Sequence, residues 1–314
     1  MGLRRSQPVR VISIAFALAA TFGLAVDRST GAAGRPQVVD AVCAGTAVAS
    51  VAGPVADTEL TEISGIDHGV ASPRTLWVHN DSGDSARVFA VMPSGRTRAT
   101  VELAGAIAFD WEEIAVGVGP APGVSYLYVA DIGDNLLIRP EVAVHRAPEP
   151  PAGAQGRIAL EGAVALRLRY PDGPRDAEAL LVDPVRRQLL IVEKIASGGP
   201  AGVYSAPLRL PTRRVTTMRR VTEIRLPAGS RNRVTGADIS ADGTQIAVRT
   251  TGAVLLWKRD PAKSAWSALM ASPCLGPVPA EQQGEAIAFA GDGRSYTTVS
   301  EGLGQPIHVV SAGR

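Results

Sequence analysis

The chain predicts an all-β protein: a propeller of five four-stranded blades, with six as the alternative count. Three observations carry this. A short phrase opens a strand five times: an acidic or small residue, any residue, then an aliphatic one. The copies are Ser64-Gly65-Ile66, Glu112-Glu113-Ile114, Glu178-Ala179-Leu180, Ala237-Asp238-Ile239 and Glu285-Ala286-Ile287. They stand 48, 66, 59 and 48 residues apart, and a period of that size marks one supersecondary unit repeated. Around them Val, Ile, Leu and Tyr form strand-like runs between 33 Gly and 23 Pro that punctuate turns.

Each unit reads as four strands. The first blade is expected over 64–67, 75–79, 87–92 and 98–103, and the second over 112–116, 126–130, 142–146 and 163–169, lengthened by a loop at 148–156. The third is expected over 179–182, 188–192, 202–206 and 218–226, and the fourth over 238–240, 245–248, 254–258 and 265–269. The fifth has three strands, 286–289, 295–299 and 307–310, and its missing strand is most easily supplied by 46–51. That joins both ends of the chain in one blade. The wrap from Glu285 to the C-terminus plus Cys43 to Ser64 is about one blade long, and the longest interval, 66, is too short for two. Five is therefore favoured over six. The two cysteines, Cys43 and Cys274, flank this seam, and a disulfide between them is expected.

The propeller is expected over 35–314, preceded at 1–34 by a secretory signal. Arg4, Arg5 and Arg10 lead into an apolar run at 11–26, and small residues follow at 31–34. The run is short for a permanent span of about 20 residues. A secreted or cell-envelope-exterior protein with no stable membrane span after cleavage is expected, an uncleaved anchor being the alternative. Beyond position 34 lie 28 of the 32 basic and 29 of the 30 acidic residues, so the formal +2 belongs to the leader. No nucleic-acid footprint remains, and the Arg-rich stretch 213–220 reads as a solvated outer strand.

In a propeller the first strand of each blade lines the axis. Ser64, Glu112, Glu178, Ala237 and Glu285 are thus expected around it at one height, with Glu62, Asp110 and Asp176 as a second acidic tier two residues earlier. So many carboxylates cannot all stay ionised without partners. They call for raised pKa values, basic partners (Lys194, Arg249, Arg139, Arg175) or a bound cation, and oxygen-only ligands suit calcium, or magnesium, rather than zinc. The competing reading is that such acids hydrogen-bond the backbone of the next blade. Where second strands turn into third strands, Asn80-Asp81-Ser82-Gly83-Asp84 and Asp131-Ile132-Gly133-Asp134-Asn135 are near copies, and Glu193 and Glu301 recur there. Asp81, Asp131, Glu193 and Glu301 are the candidates for orienting water or acting as base, and Asn80, Asp131, Lys194, Arg249 and Glu301 for touching a ligand. Four histidines show no metal-ligand spacing, His79 reads as structural, and no nucleophile elbow or phosphate loop occurs.

With these residues in view, the chain resembles secreted bacterial propellers of the phytase-like and esterase-like kind. It also resembles the five-bladed calcium-activated nucleotidases (apyrases), through Ser64, Glu112-Glu113-Ile114-Ala115-Val116, Glu178-Ala179 and Glu285-Ala286-Ile287. The second resemblance implies a Ser/Glu ring holding calcium on the axis; Ala237, with no side-chain oxygen, departs from it. Two functions follow as expectations. One is a metal-dependent hydrolase of a phosphate ester or similar small ester, with Glu112, Glu178 and Glu285 holding metal. The other is a non-catalytic binding or scaffold propeller with a structural cation. The partner is a small molecule or an extracellular protein. Aromatic residues make up only 4% of the chain, which disfavours a glycan-cleaving site built on aromatic platforms.

Overall fold

A computed structural model describes residues 36–195, 199–229 and 233–313. The expected signal at 1–34 lies outside the described residues. The described residues form a five-bladed β-propeller. Blade 1 is Ile63–His68, Leu76–Asn80, Arg87–Val91 and Thr97–Leu103, from the axis outward, and blade 2 is Trp111–Val118, Ser125–Asp131, Val142–Pro148 and Val164–Arg169. Blade 3 is Ala177–Asp183, Gln188–Glu193, Ala201–Pro207 and Arg219–Ile224, and blade 4 is Val234–Ile239, Gln245–Thr250, Ala253–Lys258 and Cys274–Gly276. Blade 5 is Gly284–Phe289, Ser295–Ser300 and Pro306–Ser311, completed by Val48–Pro54 from the start of the fold.

The burial pattern explains why these segments take their places. Inner strands are sandwiched between two neighbouring blades, so Ala177–Asp183, Val234–Ile239 and Gly284–Phe289 are buried at every residue. Outer strands face solvent on one side and alternate, as in Val164–Arg169. Among the described residues the apolar side chains form five clusters, one per seam. Trp77 and Val101 meet Leu127 and Val129 between blades 1 and 2. Val144 and Leu166 meet Leu189 and Tyr204 between blades 2 and 3. Val192 meets Val248 and Trp257 between blades 3 and 4, Leu256 meets Ile287 and Tyr296 between 4 and 5, and Val299 meets Ile66 and Phe89 between 5 and 1. Every seam is filled, so the ring is closed.

Closure comes from the strand expected at 46–51. Val48–Pro54 runs antiparallel to Pro306–Ser311, from Val48 opposite Ser311 to Pro54 opposite Pro306. Just before it, a short helix, Val38–Cys43, buries Val38, Val39 and Val42 in the seam between blades 4 and 5. Cys43 is bonded to Cys274 on the outer strand of blade 4, with their Cα atoms 5.3 Å apart. The expected disulfide is present and staples the closure.

Three elements differ from the sequence reading. Residues 265–269 are a helix, Ala265–Leu269, and not the outer strand of blade 4. The segment has no β-branched residue, and Ala265 and Leu269, one helical turn apart, are both buried. The outer strand is instead Cys274–Gly276, where the disulfide holds it. The excursion after Pro148 is not only loop, because Gly156–Leu160 adds in parallel to the outer edge of blade 1. Likewise Thr216–Thr217 adds in parallel to blade 2. Both cover strand edges that would otherwise be open.

Candidate functional site

Each inner strand carries a β-bulge near its start, at the same place in every blade. The register slips between Ile63 and Gly65, Trp111 and Glu113, Ala177 and Ala179, Val234 and Gly236, and Gly284 and Ala286. The bulged residues are therefore Ser64, Glu112, Glu178, Thr235 and Glu285. A bulge re-aims its side chain away from the regular pleat. This corrects blade 4, where Thr235, and not Ala237, is the counterpart of Ser64. Every position of the ring now carries a side-chain oxygen. Two of those oxygens are committed to the neighbouring blade. The Ser64 hydroxyl donates to the Glu112 carbonyl at 2.9 Å, and the Thr235 hydroxyl lies 2.9 and 3.0 Å from the Gly284 and Glu285 carbonyls.

The three glutamates share a narrow polar cavity of about 40 Å³ at the mouth of the axis, lined also by Glu62, Ser64, Asp81, Lys194, Gln283 and Glu301. Space of that size holds an ion with a little water, not an organic substrate. Asp81 and Glu112 of this lining form a group with Asp110 beside it, one oxygen from each lying within 4.8 Å of the others. Ligands on opposite sides of a calcium ion stand roughly 5 Å apart, given metal–oxygen distances of about 2.3–2.6 Å, so this triad is of the right size. Asp81 follows the second strand of blade 1, Asp110 precedes the inner strand of blade 2, and Glu112 sits on its bulge. Gly133 closes in behind them, since a Cβ there would strike Glu112 Oε1 and Asp110 Oδ2. Its near copy Gly83 serves a different need, a turn at φ +93°.

The electrostatics are those of crowded acids. Burial, reinforced by Asp81 and Asp110, holds the Glu112 carboxyl well above its ordinary value against the pull of Lys194. Glu285 is pushed up to about 8, by burial and then by Glu301, against a hydrogen bond from Gln283. Asp110 rises to about 6 through burial and the charge of Asp81, although Arg139 opposes it. Glu301 rises for the same reasons, burial first and then Asp81. Lys194 pairs with Glu178, and Arg139 pairs with Asp131 at 2.7 Å, so the cations nearest the triad are already engaged.

Other expected site residues are placed elsewhere. The Asp131 carboxylate accepts from the Phe109 and Asp110 amides at 3.3 and 3.2 Å and braces the loop with Arg139. Burial alone would raise its pKa, but His145 and Arg139 bring it below the ordinary value. Asp176 accepts from the Asp134 amide at 2.8 Å. Glu193 accepts from the Gly202 amide at 3.0 Å within blade 3. Asn80 donates to the Glu59 carbonyl and to Asp84, both at 2.8 Å. Arg249 is wholly buried against Glu281 at 2.5 Å and does not line the mouth cavity. His79 is fully buried with Nδ1 2.7 Å from the Asn80 carbonyl oxygen, and burial lowers its pKa, as a structural neutral imidazole requires.

Deeper on the axis lie three carboxylates that the sequence reading did not single out. Glu113 reaches from blade 2 to blade 4, accepting from the Ala237 amide at 2.9 Å and from its neighbour Ile114 at 3.1 Å. Its counterparts in the other blades are Gly65, Ala179, Gly236 and Ala286, which leave room for one crossing side chain. Asp67 accepts from Val116 of blade 2 at 2.5 Å, and Asp238 from Phe289 of blade 5 at 2.6 Å. These are the interblade hydrogen bonds weighed as the alternative to ligand binding. Asp67 and Asp238 each stand three residues past a bulge, so aligning blade 4 on Thr235 would have shown them as twins. Glu113 crosses from blade 2 to blade 4 and is wholly buried.

No protein-family model matches the chain, and no curated protein matches it. Solved structures similar to it include the PQQ-bound aldose sugar dehydrogenase of Streptomyces coelicolor, at 15% identity and TM-score 0.47, over 84% of this chain and 98% of that one. A hydrazine synthase of Kuenenia stuttgartiensis aligns at 12% identity and TM-score 0.41, over 80% and 96% of the two chains. A nidogen/laminin complex aligns at 12% identity and TM-score 0.45, over 78% and 74%. Similarity this distant says nothing of activity.

Proposed function

We propose that the protein is an exported binding propeller whose acidic mouth holds a divalent cation, calcium in the first instance. The observation that carries this reading is the triad of Asp81, Asp110 and Glu112, whose oxygens converge within 4.8 Å. The donors are carboxylate oxygens, which suit a hard cation. The ion would offset the burial and the mutual repulsion that together hold Glu112 and Asp110 above their ordinary pKa values. The site lies toward blades 1 and 2, off the symmetric ring implied by the resemblance to calcium-activated nucleotidases, because Ser64 and Thr235 spend their hydroxyls on neighbouring carbonyls. Export is supported by the Cys43–Cys274 disulfide, a bond of oxidising compartments. Among the described residues no helix is long and apolar enough to cross a membrane.

A phosphate-ester hydrolase receives less support. Such an enzyme needs cations free to grip phosphate, whereas Lys194, Arg139 and Arg249 are paired with Glu178, Asp131 and Glu281. Binding without turnover is the better reading. Thermal melting with calcium and with chelator tests it. At calcium concentrations near 100 times Kd, stabilisation of about 2.7 kcal/mol is expected, and Glu112→Gln should abolish most of the shift. Equal melting temperatures in calcium and chelator would refute the site.

A further inference from the structure

The mouth-side loops of blade 2 carry an apolar surface that neither the cation site nor the seams account for. Ile107 and Phe109 stand in the loop entering Trp111–Val118, and Leu136, Leu137 and Ile138 in the loop leaving Ser125–Asp131. All five side chains are between 53% and 77% exposed. The two loops form one surface. The Gly133 amide donates to the Asp110 carbonyl at 3.2 Å, and the Arg139 guanidinium lies 4.7 Å from the centre of the Phe109 ring.

This display is built by the chain. The Asp134 carboxylate accepts from the Ile138 and Arg139 amides at 3.0 and 2.8 Å, and the Leu137 amide donates to the Asp134 carbonyl at 2.8 Å. Leu137 is held at φ +54°, in the left-handed region that disfavours leucine. Strained backbone and outward-facing leucines in a well-bonded loop point to a contact, since grouped exposed apolar side chains mark interaction surfaces.

The charge beside the patch narrows the partner. Phe109 adjoins Asp110 of the triad, and the mouth brings seven carboxyl groups together: Asp110 with Glu62, Asp81, Glu112, Glu178, Glu285 and Glu301. Lys194 is the basic side chain among the described lining residues. One bound divalent cation would leave the rim acidic. Complementarity calls for a basic group flanked by apolar ones. A second copy of this chain would set acidic rim against acidic rim, and an anionic membrane would be repelled.

We propose that this face docks a polypeptide segment in which apolar side chains flank a lysine or arginine. The apolar groups lie on the 107–109 and 136–138 loops and the basic head meets the mouth carboxylates. The proposal does not require the cation. The test titrates the whole protein, in calcium and separately in chelator, with two fluorescein-labelled peptides followed by anisotropy. One alternates leucine with lysine, and the other alternates leucine with glutamate. Saturable binding of the lysine peptide is expected in both buffers, at least about tenfold tighter than the glutamate peptide. The combined variant Leu136→Ser, Leu137→Asn and Ile138→Ser should weaken it at least about tenfold. Phe109→Ser is an independent removal should the loop variant not fold, and melting curves confirm folding. No saturable binding, equal binding of the two peptides, or indifference to both variants overturns the proposal. So does sedimentation with phosphatidylglycerol vesicles, or a dimer, that the loop variant abolishes.

Discussion

Glu285 offers a quantitative handle on the acidic mouth. Its carboxyl titrates near 8 in the fold because it is buried and faces Glu301, whereas in an unfolded chain it would titrate near ~4.3. Between those values the folded state holds more protons than the unfolded one. Stability is therefore fully present below the unfolded value and is lost as pH rises, until the folded group ionises near 8. At neutral pH the distance travelled above the unfolded value is about 2.7 pH units, equivalent to about 3–4 kcal/mol. Glu285→Gln keeps the shape and hydrogen-bonding capacity and removes the charge. In chelator, the variant should be more stable than the parent by about 3 kcal/mol near pH 7, and the gap should close near pH 4. Urea unfolding followed by tryptophan fluorescence at a series of pH values reads this directly. A variant less stable than the parent near neutrality, or a gap that widens toward acid, would refute the placement of a strained carboxyl in the mouth.

Other outcomes follow from the same structure. The Cys43–Cys274 bond spans 231 residues, so replacing both cysteines with serine should cost about 5 kcal/mol on the chain-entropy model, measured by urea unfolding against the oxidised parent. Thr235→Val keeps the volume but leaves the Gly284 and Glu285 carbonyls without this donor, and a loss of about 1–2 kcal/mol is expected in the same assay. Lys194→Met removes the ammonium that neutralises Glu178. The variant should bind calcium at least about threefold more tightly, because a competing positive charge has left the mouth; weaker binding would show that Lys194 orders the site instead.

The propeller was legible because its signals are local. The five phrases, the strand alternation and the length left over at the two ends together specify five seams and a shared closing blade. Blade 4 departs from the sequence pattern because a bulge is a backbone event. Ala237-Asp238-Ile239 matches the phrase by residue type, whereas Thr235 is identified only by the pairing slip between Val234 and Gly236. The helix Ala265–Leu269 and the parallel strand Gly156–Leu160 depend on which edge or seam lies opposite, and spacing along the chain does not carry that. For the site, the acidic register put Glu112, Glu178 and Glu285 at one mouth. It could not show that Asp81 and Asp110, from different blades, converge with Glu112 within 4.8 Å, or that Arg249 pairs with Glu281. Backbone amides set where the acids sit. Asp131 and Asp176 meet amides of loop residues and Asp67 and Asp238 meet amides of the next blade, while at the mouth Asp81 accepts from the Ser82 amide at 2.5 Å and the Ser64 hydroxyl lies 3.4 Å from Glu112 Oε2.

The central claim is a cation held by Asp81, Asp110 and Glu112, and calorimetric titration with calcium tests it most directly when the parent is run beside Asp81→Asn with Asp110→Asn. The account predicts saturable binding by the parent and at least about tenfold weaker binding by the double variant. No binding by the parent, or equal affinity in the two proteins, would contradict it.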